Sequence, residues 1–378
     1  MFDAVARALS NRIVLAMLAT GAAVYMYGQA HAHGVHLAGI NGFGSDFHGT
    51  IWAPDRAILH GVSPYPSVSR PFVVEPAVYL PPIFLVTLPL GWLSLHAATW
   101  VWFGLLMASA IGVLAVLEVR DPWCYAFMLM SLPVVEALVL GNASILVSLG
   151  AALAWRFRHR PIGGPVAVAA TVAVKFWLWP LVLWLFVLHP RSGVRAAIVL
   201  AVVTLGAWAA IGFDGLLSYP ALLHTEAQLY VREGVLFIAT LVQLNVAVKV
   251  AAAAGFLGGL VLLGAAWIRR SSEIESFALA LLASLVATPV AWPHYLALMA
   301  VPIAILWRKI ALAWAWFPSL WVAIHVGRHF QPDSRPVGHT LALSLFAALP
   351  VVMVIAVGRG RLRRGPAVTR PPSQSIRS

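Results

Sequence analysis

The chain is poor in charged residues: only 10% of its 378 residues are charged, whereas 61% are hydrophobic. A soluble domain carries about 25% charged residues, so this composition excludes an ordinary soluble protein. A helix that crosses a bilayer needs roughly 20 mostly apolar residues, and such runs follow one another along most of the chain. They lack the polar–apolar alternation of a membrane barrel. The sequence therefore predicts an all-α polytopic membrane protein.

Cysteine and acidic residues are also scarce. Because Cys124 is the only cysteine in the sequence, no disulfide can form within the chain. The shortage of acids gives a net charge of +12, which in a soluble protein would suggest nucleic-acid binding. In a membrane protein, Lys and Arg gather on the cytoplasmic side instead, so we expect no nucleic-acid partner.

Short basic connectors separate the apolar runs and predict the topology. The positive-inside rule places these connectors in the cytoplasm, and they are 156–160, 189–195, 269–270, 308–309 and 359–365. The first run, 13–30, resembles a signal peptide, but with so many later runs we expect an uncleaved first helix. The map predicts about 12 transmembrane helices, among them 122–140 and 310–327, with both termini cytoplasmic.

One apolar segment does not fit this count. Residues 77–93 contain Pro81, Pro82 and Pro89, and proline interrupts helices. We therefore expect this segment to be re-entrant or broken. The predicted organisation is a single transmembrane domain, 1–357, whose loop 31–76 is extracytoplasmic, followed by a basic disordered tail, 358–378.

A few ionisable residues lie within or beside the apolar runs: Asp46, Arg56, Glu136, Lys175 and His294. Such residues are functional candidates by default, and the predicted topology brings all of them to the outer face. Structural roles are also open at this point. Lys175 would then only reach toward the interface, Glu136 would form a buried ion pair with it, and His294 would belong to the interfacial belt. Asp55, in APDRAILHG, is expected to be solvated.

The order of short motifs along the chain carries a resemblance. An early outer Asp46 is followed by Arg56, Gly61, Pro64 and Tyr65, and then by the proline-rich YLPPIF. Gly141-Asn142, a Lys at a helix end and Trp292-Pro293-His294-Tyr295 come later. This series, over roughly residues 10 to 350, resembles glycosyltransferase family 87, membrane enzymes of the GT-C type.

The resemblance implies a GT-C-type bundle and an inverting transfer of a sugar from a polyprenyl monophosphate. It implies that Asp46 is the catalytic base toward the acceptor hydroxyl and that Lys175 and His294 hold the donor phosphate. Arg56 and Tyr65 would shape the loop or the acceptor site. We also expect substrate contacts from three further motif residues, Asn142, Trp292 and Tyr295.

The sequence departs from the family pattern in three places. The family often has Gly-Gln-x-x-Asn where this chain has Gly141-Asn142-Ala143-Ser144, and it often has proline where Phe176 follows the lysine. Asp46 is followed by Phe47-His48, so the loop has no Asp-x-Asp metal motif. The histidines of HAHGVH (31–36) have no carboxylate or cysteine close by. We therefore predict no metal and no cofactor.

The leading hypothesis is a polyprenyl-phosphate-sugar-dependent glycosyltransferase of the inner (plasma) membrane, acting on the extracytoplasmic side. Its partners would be the polyprenyl-phosphate sugar donor, a lipid-linked or cell-envelope acceptor and membrane lipids. Mannose is the expected sugar, with arabinofuranose as the alternative. A transporter or flippase of a lipid-linked glycan is a second hypothesis, although the chain lacks the internal repeats of many transporters. A non-catalytic envelope scaffold is the third.

Overall fold

The computed structural model describes residues 43–65, 78–307, 314–317, 319–320 and 337–363, with side chains up to 357. Within these ranges the chain is helical and contains no β-strand, which confirms the all-α prediction. The predicted first span (13–30), the histidines of 31–36, most of the predicted span 310–327 and the end of the tail lie outside the described residues.

The described helices follow one another with short connections. In the first half they are α1 (Ser45–Phe47), α2 (Ala53–Leu59), α3 (Pro81–Thr87), α4 (Leu95–Val116), α5 (Pro122–Leu129), α6 (Leu132–Leu140), α7 (Ser144–Phe157) and α8 (Gly163–Val174). In the second half they are α9 (Pro180–Leu188), α10 (Pro190–Ala210), α11 (Tyr219–Tyr230), α12 (Phe237–Gln243), α13 (Val248–Ile268), α14 (Glu273–Ala287), α15 (Ala300–Ile305) and α16 (Val337–Arg363).

Four described helices, α4, α10, α13 and α16, are long and apolar enough to cross a membrane by length and composition. The pair α5 and α6 would make a fifth span if its two pieces act together across a bend of 58°. The remaining apolar helices are shorter, between 10 and 17 residues. Membrane character is thereby supported, but the predicted count of about 12 spans is not confirmed.

The proline-rich segment 77–93 forms two short helical pieces. Pro81 and Pro82 stand at the first positions of α3, where a missing N–H costs nothing because that group has no helical partner. From Leu88 to Trp92 the chain continues as a 3₁₀ helix that includes Pro89. Twelve helical residues at ~1.5–2 Å each give less than the ~30 Å of a bilayer core. These proline positions thus begin and tighten a helix that is too short to span.

Segment 122–140, expected to be one span, is divided instead. α5 ends at Leu129, and Ser131 has extended backbone before α6 begins with Pro133 in its first turn. Proline has no N–H donor and is tolerated in the first turn of a helix but not in its interior, so a helix can begin at Leu132-Pro133 but cannot continue through it from α5. The break therefore follows from the local sequence, and it points α6 toward the candidate site.

Long helices of the bundle pack against one another in pairs. α13 packs along α14, and α8 contacts both α7 and α10. Gly259 of α13 permits close approach, because a Cβ there would lie 3.0 Å from the Cβ of Ala287 in α14. The 3₁₀ helix Pro293–Met299 packs on α6 and α7, so the late motif meets the Gly-Asn turn in the centre of the protein.

Candidate functional site

Two glycines place Asp46 against the end of α6. Gly44 and Gly141 both have positive φ, 77° and 71°, a conformation that glycine adopts without steric cost. The Gly44 N–H donates to the carbonyl of Val139 at 2.7 Å. A Cβ at Gly141 would lie only 2.8 Å from the Cβ of Phe47. The backbone of α1 therefore lies directly on the Gly141 turn, and Asp46 is held beside Asn142.

Asn142 joins the acid of the first loop to the buried lysine. Its Nδ2 amide donates to Oδ2 of Asp46 at 2.7 Å, and its Oδ1 accepts from Lys175 Nζ at 2.9 Å. The same oxygen also accepts from the backbone N–H of Ser144 (3.0 Å) and its hydroxyl (2.7 Å). Three residues that are distant in sequence thus form one hydrogen-bonded chain, Asp46–Asn142–Lys175.

Lys175 lies at the end of α8, in the break before a 3₁₀ helix. Helix α8 ends at Val174, and Lys175 has extended backbone angles (φ −137°, ψ 104°) although no proline follows it. The side chain is buried, and Nζ also donates to Ser144 Oγ at 3.3 Å. The ammonium is 4.2 Å from the centroid of the Tyr295 ring and 5.4 Å from that of Tyr79, distances typical of cation–π contacts.

His294 reaches the site from the opposite side, within the 3₁₀ helix Pro293–Met299. It is buried, and its Nδ1 lies 3.6 Å from Oε1 of Glu136 on α6. Neither ring nitrogen of His294 has a hydrogen-bond partner among the described residues. Burying a nitrogen without a hydrogen bond is costly, so Nε2, which lies away from the Glu136 contact of Nδ1, is available to a ligand that enters the site.

Aromatic rings form one wall of the site. Tyr295 stacks on Trp177 with a centroid distance of 4.9 Å and an interplanar angle of 14°. Trp292 lies parallel to the ring of His294 at 6.5 Å. The indole Nε1 of Trp177 is buried without a hydrogen-bond partner among the described residues. This wall offers flat faces and one unused N–H donor to a ligand.

The structure gives Arg56 and Tyr65 other surroundings. Arg56 is exposed on α2, where Nη1 donates to the Gly91 carbonyl at 3.4 Å. Tyr65 is buried against Trp208, 5.0 Å between centroids, and its hydroxyl donates to the carbonyl of Tyr79 at 2.8 Å. Tyr65 thus does not contact the site itself, but its hydrogen bond supports the backbone of Tyr79, which does.

The prediction that Asp55 is solvated is wrong. Its side chain is fully buried between α2 and the 3₁₀ helix Leu88–Trp92, with Oδ1 accepting from the Thr87 hydroxyl at 3.1 Å. A Cβ at Gly91 would lie 2.9 Å from Leu59 and 3.1 Å from the Asp55 Cβ. Positions four apart share one helix face, so Asp55 and the half-buried Leu59 both face Gly91.

Burial raises the pKa of Asp46 above its ordinary value, while the nearby His294, the Asn142 hydrogen bond and Lys175 oppose this rise. A carboxylate with a raised pKa is a stronger base, and a positioned base is most effective when its pKa approaches the working pH. The site therefore contains a carboxylate suited to take a proton and, a few ångströms away, cationic and imidazole groups suited to bind an anion.

An apolar groove leads away from the site between α9 and α10. Its outer part has a volume of about 490 Å³ and is lined by Leu80 and Phe176, the chain neighbours of Tyr79 and Lys175. A second part, about 410 Å³, extends to Phe186 and Gly193. The two parts share Val182, Ala197 and Ala201, so they form one continuous groove.

The chain matches a known protein family. The model of glycosyltransferase family 87 matches residues 77–293, more than half of the chain. The chain therefore belongs to glycosyltransferase family 87, which confirms the resemblance predicted from the motifs. No curated protein and no solved structure matches the chain.

Three residues of the site were not predicted: Tyr79, Ser144 and Trp177. Each lies next to a predicted motif, since Tyr79 opens YLPPIF, Ser144 is two positions after Asn142 and Trp177 two after Lys175. Their residue types gave no signal, because the chain contains 16 Trp and 8 Tyr. Among the described residues, two His side chains and one Glu side chain with the spacing of a metal site occur elsewhere, at His159, His189 and Glu273.

Proposed function

We propose that this family 87 glycosyltransferase transfers mannose from a polyprenyl monophosphate carrier to a lipid-linked or cell-envelope acceptor, with inversion at the anomeric carbon. Membership in the family supports a glycosyltransferase rather than a transporter or a scaffold. The observation that carries the proposal is the hydrogen-bonded chain Asp46–Asn142–Lys175 beside His294. It combines a base with groups for a leaving phosphate.

In this mechanism Asp46 accepts the proton of an acceptor hydroxyl while that oxygen attacks the anomeric carbon. The bond from this carbon to the carrier phosphate breaks, and the phosphate oxygen leaves with the electron pair. A positioned base contributes about 10²–10⁴-fold. Lys175 and His294 stabilise the departing phosphate, and donors that are already fixed where the negative charge develops make this stabilisation large.

The apolar groove supports a lipid-linked donor. It begins beside Leu80 and Phe176 and continues along Val182 and Ala197, so a prenyl chain lying in it would have its phosphate end near Lys175. Trp177 and Tyr295 would then stack against the sugar, and the indole N–H of Trp177 would donate to a sugar hydroxyl or a phosphate oxygen. A water-soluble nucleotide sugar would leave the groove without a role.

We place the site on the extracytoplasmic side of the inner membrane. The support is the distribution of charge: the connectors at 156–160, 189–195 and 269–270 are rich in arginine, and basic connectors stay in the cytoplasm. Asn142 and Lys175 lie at the ends of helices α6 and α8, away from those connectors. Arabinofuranose remains the alternative sugar.

Transfer of radiolabelled mannose from a synthetic polyprenyl-phosphate mannose into membrane lipids tests the proposal. Purified wild-type protein and Asp46→Asn are compared with Asp121→Asn, a matched control in which asparagine still caps α5. We expect transfer by wild type and by the control, and a loss of at least about 10²-fold in Asp46→Asn.

Equal transfer by wild type and Asp46→Asn would contradict the role of Asp46 as the base. Absence of transfer with mannose but activity with polyprenyl-phosphate arabinofuranose would correct the sugar and keep the mechanism. Inactivity with both donors would overturn the proposed donor class.

A further inference from the structure

At the opposite end of the helices from Asp46, side chains from three separate connections meet. His159 follows α7, His189 stands between α9 and α10, and Glu273 is the first residue of α14. Nδ1 of His159 lies 3.1 Å from Nε2 of His189. The other ring nitrogen of His159, Nε2, lies 3.3 Å from Oε2 of Glu273. We propose that these three residues form a binding site for a divalent transition-metal ion, with Zn²⁺ as the best fit.

The chemistry of the three side chains favours zinc over harder cations. Zn²⁺ is bound by imidazole nitrogens at about 2.0–2.1 Å and by carboxylate oxygens at similar distances, whereas Mg²⁺ and Ca²⁺ prefer oxygen alone. Two nitrogens on a tetrahedral zinc lie about 3.4 Å apart by these bond lengths. The His159–His189 separation of 3.1 Å is close to that value, and one ligand atom from each of the three residues lies within 4.8 Å of the others.

Arg158 supplies the outer contact that metal-binding carboxylates commonly have. Its Nε donates to Oε2 of Glu273 at 2.6 Å, and its guanidinium lies 3.9 Å from the ring centroid of Trp155. The arginine thus fixes the orientation of the carboxylate, and Oε1 remains for a metal ion. The side chain of His159 is 53% exposed, so an ion has access from solvent, and water can complete the coordination.

A metal ion bound here would join three cytoplasmic inter-helix segments of the bundle, far from the residues proposed to carry out sugar transfer. It is independent of the proposed catalytic mechanism, which uses no metal. The alternative for the same geometry is a chain of hydrogen bonds in which His189 donates to His159 and His159 donates to Glu273. Both arrangements hold the connections together, but only the metal site makes the stability of the protein depend on zinc.

Equilibrium dialysis of the purified, chelator-treated protein against Zn²⁺ distinguishes the two. We expect the wild type to bind one more ion than His159→Gln or His189→Gln, and we expect His224→Gln, a change of an exposed histidine on α11, to bind as the wild type does. Zinc bound by histidines elsewhere in the chain is present in all four proteins and cancels in the comparison.

Thermal unfolding and Co²⁺ absorption are two further tests of the metal site, and they apply even if one of the histidine variants folds poorly. Zn²⁺ should raise the unfolding temperature of the wild type and of His224→Gln more than that of Glu273→Gln, since a ligand stabilises only the state that binds it. Co²⁺ should give the visible bands of a four-coordinate ion in the wild type. Equal zinc stoichiometry in wild type and His189→Gln, or wild type that lacks these bands, would overturn the proposal.

Discussion

At the scale of single residues, Asn142 holds the site together. Its amide accepts from Lys175 and donates to Asp46, and hydrogen bonds to charged groups are worth about 1.5–3 kcal/mol each. We expect Asn142→Leu, which is similar in size and removes both bonds, to lower kcat/KM for sugar transfer by about 10²-fold or more, at about 1.4 kcal/mol per factor of ten.

Ser144→Ala serves as the graded comparison for Asn142→Leu, because it removes the 3.3 Å contact with Lys175 and one bond to Asn142 but keeps the bonds of Asn142 to Asp46 and Lys175. Its loss of activity should be about tenfold or less. Equal losses in the two variants would contradict the central position of Asn142.

Asp55 predicts a pH dependence of stability. Burial raises the pKa of Asp55 to about 8, from an ordinary value of 3.8. Between these values the folded state retains a proton that the unfolded state has released, so the contribution of Asp55 to stability is present at low pH and falls as pH rises through about 8. The unfolding temperature should therefore be lower at pH 9 than at pH 6, as circular dichroism can measure.

Asp55→Asn is the control for this pH effect, because asparagine can still accept from Thr87 but does not titrate. The variant should lose less stability than the wild type between pH 6 and pH 9. A wild-type profile that is unchanged by the substitution would show that Asp55 is not the titrating group.

At the scale of elements, the contact between α1 and the end of α6 fixes the position of the base. Gly141→Ala would place a Cβ 2.8 Å from the Cβ of Phe47 at a φ of 71°, and the left-handed conformation alone costs about 1–2 kcal/mol in a non-glycine residue. We expect a lower unfolding temperature and a loss of transfer activity. Gly104→Ala, inside α4 with no atom within 4 Å, should be neutral or stabilising.

If Gly141→Ala and Gly104→Ala have the same stability and activity, the close contact of α1 with the Gly141 turn is not needed for function. A selective loss of activity at unchanged stability would instead show that displacement of Asp46 is the main effect.

The groove between α9 and α10 predicts that the enzyme responds to the length of the donor's prenyl chain. Ala201→Phe would fill the part of the groove shared by its two halves, and we expect a higher KM for a long-chain polyprenyl donor. A donor with a short prenyl chain, which ends before Ala201, should be affected less. Val202→Phe is the matched control on the same helix, since Val202 is exposed and does not line the groove.

An equal rise of KM for long-chain and short-chain donors in Ala201→Phe would place the lipid elsewhere. An equal rise in Val202→Phe would show that any added ring on α10 disturbs the bundle.

At the scale of the whole molecule, membrane orientation can be tested with single cysteines. Cys124 is buried, so Cys124→Ala gives a background for Val62→Cys on the predicted outer loop and Arg160→Cys on a predicted inner connector. An impermeant maleimide should label the first in intact cells and the second only after permeabilisation. The reverse pattern would place Asp46 in the cytoplasm and contradict the predicted orientation.

The sequence indicated which ionisable residues lie close together better than it indicated the form of the helices that carry them. Asp46, Lys175 and His294 were singled out because ionisable groups are costly among apolar residues, so each one is conspicuous. Segment 122–140 was expected as one span because hydropathy does not register a break at Ser131-Pro133. Asp55 was misplaced for another reason: its burial depends on packing against Gly91, a contact between segments that are distant in sequence.

The amide between Asp46 and Lys175 has a consequence for charge balance. In a direct salt bridge each ion would neutralise the other, and both would have to be separated before either could meet a substrate. Because Asn142 stands between them, the carboxylate and the ammonium attract each other across the amide and not in direct contact. The two charged groups therefore lie near each other without direct contact. The carboxylate can accept a proton and the ammonium can bind a phosphate without first breaking a salt bridge.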